Sequence, residues 1–447
     1  MNNTIETGAL TRGSIGRVLT GLALPIMASS FLSTAYALTD MAWVGMLGAK
    51  AVAGIGVGGM YVWLSQGLST LARMGGQVHV GQCLGRGDRE AAGHYAAAAM
   101  ELVVLFGLLF GGLCLLAPEW LISFFALEDS LTADYARIYL MITCGTSVLP
   151  FVNATLTGLY TAQGDSKTPL KANVVGLCLN MALDPMLILG WGPIPRLEVV
   201  GAAAATVTAQ AVVTLGLIFS LKPGDLLRQI RWRRLPGRTY FGRVFRMGGP
   251  TALQSMAYCA ISMVLTRMVS VFGEGAIAVQ RVGGQIESVS WNTADGFAAA
   301  MNAFAAQNYG AGRLDRVRSG YRLSFWAMVI WGGLMGLAFL LFPGGISGLF
   351  FHEAEVLPLS VDYFWILSFS EPFMCIELMA IGAMSGLGRT RLCSVISICI
   401  TGLRIPLAML LSHWIGLNGI WWALTITSVC KGIVFHLVFR RTAKTAE

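Results

Sequence analysis

The sequence predicts an all-α integral membrane protein with about twelve transmembrane helices, in two six-helix bundles related by a pseudo-twofold axis along the membrane normal. Three observations support this prediction. Long apolar segments follow one another along the chain, basic residues are confined to alternate loops, and the two halves of the sequence repeat at an offset of about 225 residues.

The apolar segments are long enough and numerous enough for a polytopic protein. Hydrophobic residues make up 55% of the 447 residues, charged residues make up 12%, and the mean hydropathy is +0.66, unlike water-soluble domains. A helix needs roughly 20 mainly apolar residues to cross the hydrocarbon core. Continuous apolar runs favour helices over a β-barrel, whose strands would alternate. The predicted spans are 18–47, 52–75, 91–117, 134–158, 169–190, 200–221, 243–271, 276–304, 320–343, 359–385, 392–413 and 416–438.

Basic residues are concentrated in every second loop. Lysine and arginine favour the cytoplasmic side of a membrane protein, so both termini are predicted to be cytoplasmic in a multi-pass protein of the bacterial inner membrane. The net charge of +8 is explained by these loops, and no nucleic-acid partner is predicted. The basic pairs that mark the cytoplasmic loops include Arg12 and Arg17, Arg86 and Arg89, Lys167 and Lys171, and Arg389 and Arg391.

The repeat defines the predicted domains. Residues 1–221 form an N-lobe with the first six spans, residues 222–242 form a cytoplasmic linker, and residues 243–447 form a C-lobe with the last six spans. Parallel repeats of this kind are typical of secondary transporters that work by alternating access. The equivalent positions include Pro25 and Pro250, Gly48 and Gly273, Gln82 and Gln307, and Pro118 and Pro343.

Two aspartates within the spans are the first candidates for chemistry. Asp40 lies in the first span, and Asp184 lies in the fifth, one helical turn after Asn180. An ionised carboxylate in the membrane interior is costly and marks a functional site, so these residues predict a site for H⁺ or Na⁺, with all three side chains as candidate Na⁺ ligands. Pro25 gives the first span a place to bend. The alternative is that Asp40 lies near the outer headgroups and Asp184 only precedes the helix-breaking Pro185.

Other ionisable residues in the spans have mixed signs, and interhelical ion pairs are the simplest interpretation. Glu287 and Asp295 of the eighth span are the second choice for a coupling site, with Arg281 beside them. The GxxxG pattern at Gly54 and Gly58 predicts close helix packing.

Enzymatic and ATP-driven functions are disfavoured. The nine cysteines are scattered without a CxxC pair, the five histidines form no close pair in sequence, and no GxxxxGK[ST] motif is present. The sequence therefore predicts a protein that is not an enzyme and has no cofactor other than a coupling ion.

Several segments resemble one known family over nearly the whole chain. They are LALPIMASSFLSTAYALTDMAWVGMLGAKAVAGIGVG, GQCLGRGD and GLYTAQGDSKTPLKANVVGLCLNMALDPMLILG, with GGPTALQ, AQNYGAG and GLGRTR in the second half. These segments are similar to the multidrug and toxic compound extrusion (MATE) family, and the acid in the first span with the Asn-x-x-x-Asp-Pro of the fifth is similar to its DinF-like branch.

The resemblance implies a secondary active exporter of cationic and amphipathic organic compounds, driven by H⁺ or Na⁺. It places a coupling cluster at Asp40, Tyr139, Asn180 and Asp184, and Thr206 is the hydroxyl nearest to the position expected in the sixth span. Pro25 is implied as the bending point of the first helix. The expected partners are drug-like molecules and membrane lipids, with the protein as a monomer. The acid that the norM-like branch carries in the seventh span is absent here.

One alternative function lies in the same superfamily. A flippase for lipid-linked intermediates would use a strongly cationic cavity, and Arg73, Arg267, Arg281 and Arg404 keep this interpretation open. Such flippases usually have more than twelve spans, which favours the exporter.

Overall fold

The computed structural model describes residues 9–125, 127, 129–190, 195–221, 237–351 and 355–445. Within these residues the chain consists of α-helices with one short 3-10 helix, Ala9–Thr11, and no β-strand. The predicted all-α fold class is therefore confirmed for the described part of the chain.

Eight helices form the first half of the chain and nine form the second. The first eight are α1 (Ile15–Gly45), α2 (Ala49–Arg86), α3 (Arg89–Leu116), α4 (Pro118–Ser123), α5 (Ser130–Thr143), α6 (Val148–Ala162), α7 (Lys167–Leu189) and α8 (Glu198–Phe219). The other nine are α9 (Arg238–Ser270), α10 (Glu274–Gly310), α11 (Leu314–Leu341), α12 (Pro343–Gly348), α13 (Val356–Ser368), α14 (Glu371–Gly386), α15 (Thr390–Gly402), α16 (Arg404–Ile415) and α17 (Leu417–Thr445).

The second half repeats the turns of the first. Gly48 before α2 and Gly273 before α10 have φ angles of 96° and 101°, and Gly87 and Gly312 after the same helices have φ angles of 84° and 71°. Only glycine adopts such angles without a clash at Cβ. The glycines at equivalent positions therefore fix equivalent turns, and the repeat predicted from the sequence is present in the structure.

Two of the predicted spans are bent rather than continuous. The span predicted at 134–158 is the pair α5 and α6, which meet at 48°, and the span predicted at 359–385 is the pair α13 and α14, which meet at 50°. A proline follows each break, Pro150 near the start of α6 and Pro372 near the start of α14. Proline cannot donate a backbone hydrogen bond inside a helix and is favoured in its first turn, which explains why a new helix begins there.

The described residues contain up to eleven candidate spans, close to the predicted number of about twelve. Among the described residues, nine helical segments are long and apolar enough to cross a membrane alone, and the two bent pairs pass the same test together. The 37-residue α10 is long enough but carries polar residues, including Arg281, Glu287 and Asp295. Counting α10 gives the twelve spans of the prediction.

The helices form two compact units. Ala28–Ala252 belongs to the amino-terminal unit, and Leu10–Met27 and Leu253–Glu447 belong to the carboxyl-terminal unit. The chain therefore passes from one unit to the other inside α1 and again inside α9. Most of the predicted linker, residues 222–236, lies outside the described residues, and α9 already begins at Arg238.

Small residues allow close helix packing inside each unit. In the amino-terminal unit, the alanines of α3 are buried in a core with α2 and α6. In the carboxyl-terminal unit, a Cβ added to Gly382 of α14 would overlap the backbone of Ala298 on α10. Membrane helices associate closely where small side chains let their backbones approach, and this packing holds the polar residues described below in fixed positions.

Candidate cation site

Four helices of the amino-terminal unit carry the predicted site residues. Asp40 lies on α1, Tyr139 on α5, Asn180 and Asp184 on α7, and Thr206 on α8. The structure brings them into one neighbourhood, because Asp40 interacts electrostatically with Asp184 and both interact with Tyr139.

Asn180 and Asp184 form the most buried part of the site. Their exposed fractions are 2% and 0%, and the Asn180 side-chain Nδ2 donates a hydrogen bond of 2.8 Å to Asp184 Oδ1. This pairing follows from the i, i+4 spacing on one helix face. The helix α7 continues past Pro185 to Leu189, so Asp184 lies within a helix and not at its end.

Each of the two carboxyl groups has one buried oxygen without a hydrogen-bond partner. Within the described part of the chain, these oxygens are Asp40 Oδ1 and Asp184 Oδ2. A buried anionic oxygen without a donor loses its hydration and gains nothing in return, which costs several kcal/mol. Two such carboxylates that interact with each other attract one small cation strongly.

Tyr36 is a member of this neighbourhood that the sequence analysis did not identify. Its hydroxyl lies 3.5 Å from Thr206 Oγ1. The same hydroxyl interacts electrostatically with Asp40 and Asp184. Tyr36 precedes Asp40 by four residues, so the same i, i+4 spacing that linked Asn180 to Asp184 could have indicated it.

Thr206 lies at the edge of the site. Its hydroxyl donates a 3.0 Å hydrogen bond to the Ala202 carbonyl, which is the usual local bond of a helical threonine. The hydroxyl oxygen can then accept a bond from Tyr36. Thr206 thus lies next to Tyr36, and its direct contact with a bound ion stays a prediction.

The side chains present are suitable for a monovalent cation. Carboxylate and amide oxygens are ligands for hard cations, and Asp40, Asn180 and Asp184 supply them. A proton requires only one of the two unpartnered carboxylate oxygens. No group of three or more His, Cys, Asp or Glu side chains arranged for a metal ion occurs among the described residues.

Pro25 lies in the part of α1 that belongs to the carboxyl-terminal unit. The helix runs through it without interruption from Ile15 to Gly45. Because proline lacks an N–H group, one backbone hydrogen bond is absent in this turn. Asp40 lies on the same helix, in the part that belongs to the amino-terminal unit.

The secondary candidates lie in the carboxyl-terminal unit on α10. Glu287 interacts electrostatically with Arg404 and Lys431, whereas Arg281 is exposed and Asp295 is half-buried two turns beyond Glu287. Of the three, Glu287 is the one that joins a buried charged cluster.

The GxxxG pattern lies beside the site and packs helices, as predicted. A Cβ added to Gly54 would lie 2.7 Å from Tyr135 Cβ, and one added to Gly58 would lie 2.9 Å from the ring of Tyr139. These glycines let α2 approach α5 and thereby help to position Tyr139.

Comparisons with known proteins agree with this architecture. A relative from Thermotoga maritima, named "Probable multidrug resistance protein NorM", is 25% identical and covers 96% of this chain and 91% of its own length. A relative from Shewanella oneidensis, named "FAD transporter", is 25% identical over 97% of this chain and 96% of its own length. A solved MATE structure described as the bent conformation superposes with a TM-score of 0.89 at 22% identity, covering 98% of both chains.

The sequence profile of the MatE family matches this chain twice, at residues 25–186 and 250–410. The two matches begin at Pro25 and Pro250, the positions that the internal repeat makes equivalent. Together the two matches include both halves of the fold. They contain every residue of the candidate site except Thr206, which lies between them. The protein is therefore a multi-pass membrane protein that belongs to the MatE family.

Proposed function

We propose that this protein is a secondary active multidrug exporter, which moves cationic and amphipathic organic compounds out of the cell in exchange for H⁺ or Na⁺ by alternating access. The observation that carries the proposal is the pair of Asp40, which is half-buried, and Asp184, which is fully buried, each with one buried carboxyl oxygen that no donor satisfies. The name of the Thermotoga relative supports the substrate class.

The coupling step follows from the cost of buried charge. When a proton or a sodium ion occupies the site, the repulsion between Asp40 and Asp184 is removed, and a different arrangement of α1 becomes favourable. When the ion leaves, the carboxylates again favour contact with water. Pro25 offers the position at which α1 changes direction, since one hydrogen bond is already absent there.

The same proposal includes the setting of the protein. The alternation of basic loops supports a location in the bacterial inner membrane with both termini in the cytoplasm. We propose a monomer that contacts membrane lipids, has no resident cofactor, catalyses no chemical reaction and binds no nucleic acid.

The flippase alternative has less support. Arg404, one of the four arginines on which it depends, donates to the hydroxyls of Thr427 at 2.8 Å and Ser428 at 2.9 Å. Because these hydrogen bonds already use its guanidinium, Arg404 is better explained as a structural residue than as a ligand for pyrophosphate. The name of the Shewanella relative instead suggests a dinucleotide as a second substrate to test.

The decisive experiment measures efflux in inverted membrane vesicles with an imposed pH or sodium gradient. Asp40→Asn removes one charge of the pair at nearly constant volume, so we expect gradient-driven transport of ethidium to fall at least tenfold while the protein remains folded in the membrane. Asp134→Asn is the matched control, because Asp134 forms a surface ion pair with Arg137 at 3.0 Å.

The response to the two gradients identifies the coupling ion, and FAD supplied outside the same vesicles tests the second substrate by its accumulation inside them. Normal transport by Asp40→Asn would refute the coupling assignment. Transport that neither gradient drives, with ethidium or FAD, would refute the antiporter itself.

A further inference from the structure

Two buried cysteines meet where α3 packs against the break between α5 and α6, residues 144–147. Cys114 lies near the end of α3 and is 0% exposed, and Cys144 directly follows α5 and is 2% exposed. Their thiols are in hydrogen-bond contact with each other. Both side chains belong to one apolar cluster, which also includes Phe110, Leu121, Ile122, Ala136 and Leu140. The function proposed above gives this pair no role.

The backbone of α3 approaches the break closely at this point. A Cβ added to Gly111 of α3 would lie 3.3 Å from the Cys144 carbonyl oxygen. The Ser147 hydroxyl in the break donates a 2.9 Å hydrogen bond to the Gly107 carbonyl oxygen. Cys114 follows Gly111 by three residues and therefore lies on the same face of α3. These contacts hold the two cysteine side chains against each other.

The second half of the chain shows that this packing does not require cysteines. A Cβ added to Gly336 of α11 would lie 2.6 Å from the Ser368 carbonyl oxygen at the end of α13, so α11 also packs against a break between two helices. At the offset that relates the halves, Phe339 takes the position of Cys114. Phe339 is buried and contacts the ring of Phe364. Packing alone therefore does not explain the contact between two thiols in the first half.

Two thiols held in this way can be joined by a disulfide with little movement. A disulfide places the two Cβ atoms about 3.8 Å apart and needs closely spaced backbones. Thiols in hydrogen-bond contact on packed backbones need only a small shift to meet this requirement. Cys114 and Cys144 are both free thiols in the structure. Because the fold holds them together, each thiol meets the other at a high effective concentration.

The position of the pair determines which oxidant can reach it. Thiols buried in apolar surroundings react slowly with water-soluble reagents. The helix α3 is a candidate membrane span, and the side chains on either side of Cys114 along its surface, Leu113, Leu115 and Leu116, are exposed. This surface therefore faces lipid, and an oxidant that dissolves in lipid can approach the pair from that side.

We propose that Cys114 and Cys144 form a redox-sensitive site, in which a lipid-soluble quinone oxidises the two thiols to a disulfide that fixes the α5–α6 break to α3. The thiols lose two protons and two electrons as the S–S bond forms, and the quinone takes up both to become a hydroquinone. A dithiol reductant reverses the reaction by thiol–disulfide exchange. Cys144 interacts electrostatically with Tyr139, so the disulfide restrains α5 beside the candidate cation site.

Counting thiols by mass spectrometry tests the proposal. The full chain in lipid vesicles is treated with duroquinone, whose fully substituted ring does not add thiols, and is then unfolded and labelled with N-ethylmaleimide. We expect two reactive thiols to be lost, a linked peptide that contains Cys114 and Cys144, and recovery of both thiols with dithiothreitol. The exposed cysteines are first replaced by alanine, so that they cannot join two molecules; they are Cys178, Cys399 and Cys430.

A buried cysteine of the other unit serves as the internal control. Cys375 is also 0% exposed, but its recorded partner is the Ser290 hydroxyl at 3.6 Å and not a thiol. It should stay reactive toward maleimide after treatment with the quinone. Cys144→Ala removes one member of the pair, so Cys114 should stay reactive as well.

A pair of glycine variants tests the geometry without altering either thiol. Gly111→Ala places a methyl group against the break, whereas a Cβ at the adjacent Gly112 would meet nothing within 4 Å. The disulfide should form about tenfold more slowly in Gly111→Ala than in Gly112→Ala, because misplaced groups react more slowly. Equal rates in the two variants, an unchanged number of thiols, or a disulfide from Cys114 to another cysteine would overturn the proposal. None of these measurements requires transport, so the result is independent of the exporter function.

Discussion

Asp129 and Asp184 show how their surroundings give two aspartates of one unit opposite properties. Asp184 is fully buried with one oxygen unpartnered. Asp129 lies on the surface before α5, where it accepts bonds from Lys50 Nζ at 2.7 Å and from the Thr132 hydroxyl and backbone N–H at 2.7 and 2.9 Å. The first environment disfavours a negative charge and the second favours it, so only the first is suited to bind and release a cation.

The surface aspartate gives a prediction about pH. The bonds from Lys50 and then Thr132 lower the pKa of Asp129 from 3.8 to about 2. A carboxyl group with a lowered pKa stabilises the folded state above its usual pKa and loses this effect as the pH falls toward the folded-state value. We therefore expect wild type to unfold at a higher temperature than Asp129→Ala at pH 7, and the difference to shrink between about pH 4 and pH 2.

Thermal unfolding in detergent micelles, followed by circular dichroism at several pH values, measures this difference. Glu119→Ala, which removes an exposed partner of Arg137, controls for the general effect of losing an acidic side chain. A difference between wild type and Asp129→Ala that is the same at pH 7 and pH 3 would contradict the explanation.

The residues of the candidate site differ in how far the sequence could predict them. Asp40, Asn180 and Asp184 were found because charge and amide groups are unusual in an apolar span, and the i, i+4 rule then joined two of them. Tyr36 was missed because a tyrosine is common in membrane helices and does not mark a site by its charge.

At the level of elements, the GxxxG contact between α2 and α5 gives a prediction with a matched control. A Cβ at Gly54 would lie 2.7 Å from Tyr135 Cβ and 2.9 Å from the Thr132 carbonyl oxygen, whereas a Cβ at Gly56 would meet nothing within 4 Å. Overpacking costs typically 1 to 3 kcal/mol, so Gly54→Ala should destabilise the protein by about 2 kcal/mol. Gly56→Ala should be neutral or stabilise by up to about 1 kcal/mol, because alanine is the better helix former.

The two variants are compared by their unfolding temperatures in the same detergent. Because both exchange glycine for alanine in one helix, the difference between them isolates the contact with α5. Equal unfolding temperatures would show that α2 and α5 are not in close contact at Gly54.

The bends in the helices were harder to predict than the helices themselves. Hydropathy averages over a whole span, so 134–158 and 359–385 were predicted as single helices although each is broken near its middle. Prolines are also present inside α1 and α7, which continue through Pro25 and Pro185. Whether a proline starts a new helix or lies within one depends on the neighbouring helices that satisfy the freed carbonyl groups, and the sequence of one segment does not contain that information.

At the level of the whole molecule, the two compact units do not coincide with the two halves of the sequence. The repeat at residues 25 and 250 and the twelve spans were predictable, because turn glycines and apolar runs are local signals. Two assignments were not predictable from the sequence. Leu10–Met27 belongs to the carboxyl-terminal unit, and the start of α9 belongs to the amino-terminal unit. Both assignments result from contacts between segments far apart in sequence.

The first half of α9 gives the last prediction, because its residues up to Ala252 pack within the amino-terminal unit. A Cβ added to Gly248 would overlap the carbonyl group of Leu71 on α2, whereas one added to the adjacent Gly249 would meet only the Phe245 side chain, at an ordinary 3.6 Å. Backbone atoms cannot rotate away as a side chain can, so Gly248→Ala should destabilise the protein by about 3 kcal/mol. Gly249→Ala should change the stability by less than about 0.5 kcal/mol.

Hydrogen exchange measured by mass spectrometry shows which unit is affected. Since Gly248 contacts α2, its substitution should increase exchange in α2 and in the first half of α9, while α10 and α14 of the carboxyl-terminal unit retain their protection. The adjacent Gly249→Ala controls for any effect of a methyl group on α9 itself. Increased exchange confined to α10 and α14 would instead assign the whole of α9 to the carboxyl-terminal unit, and the passage of the chain between units would then lie before this helix and not within it.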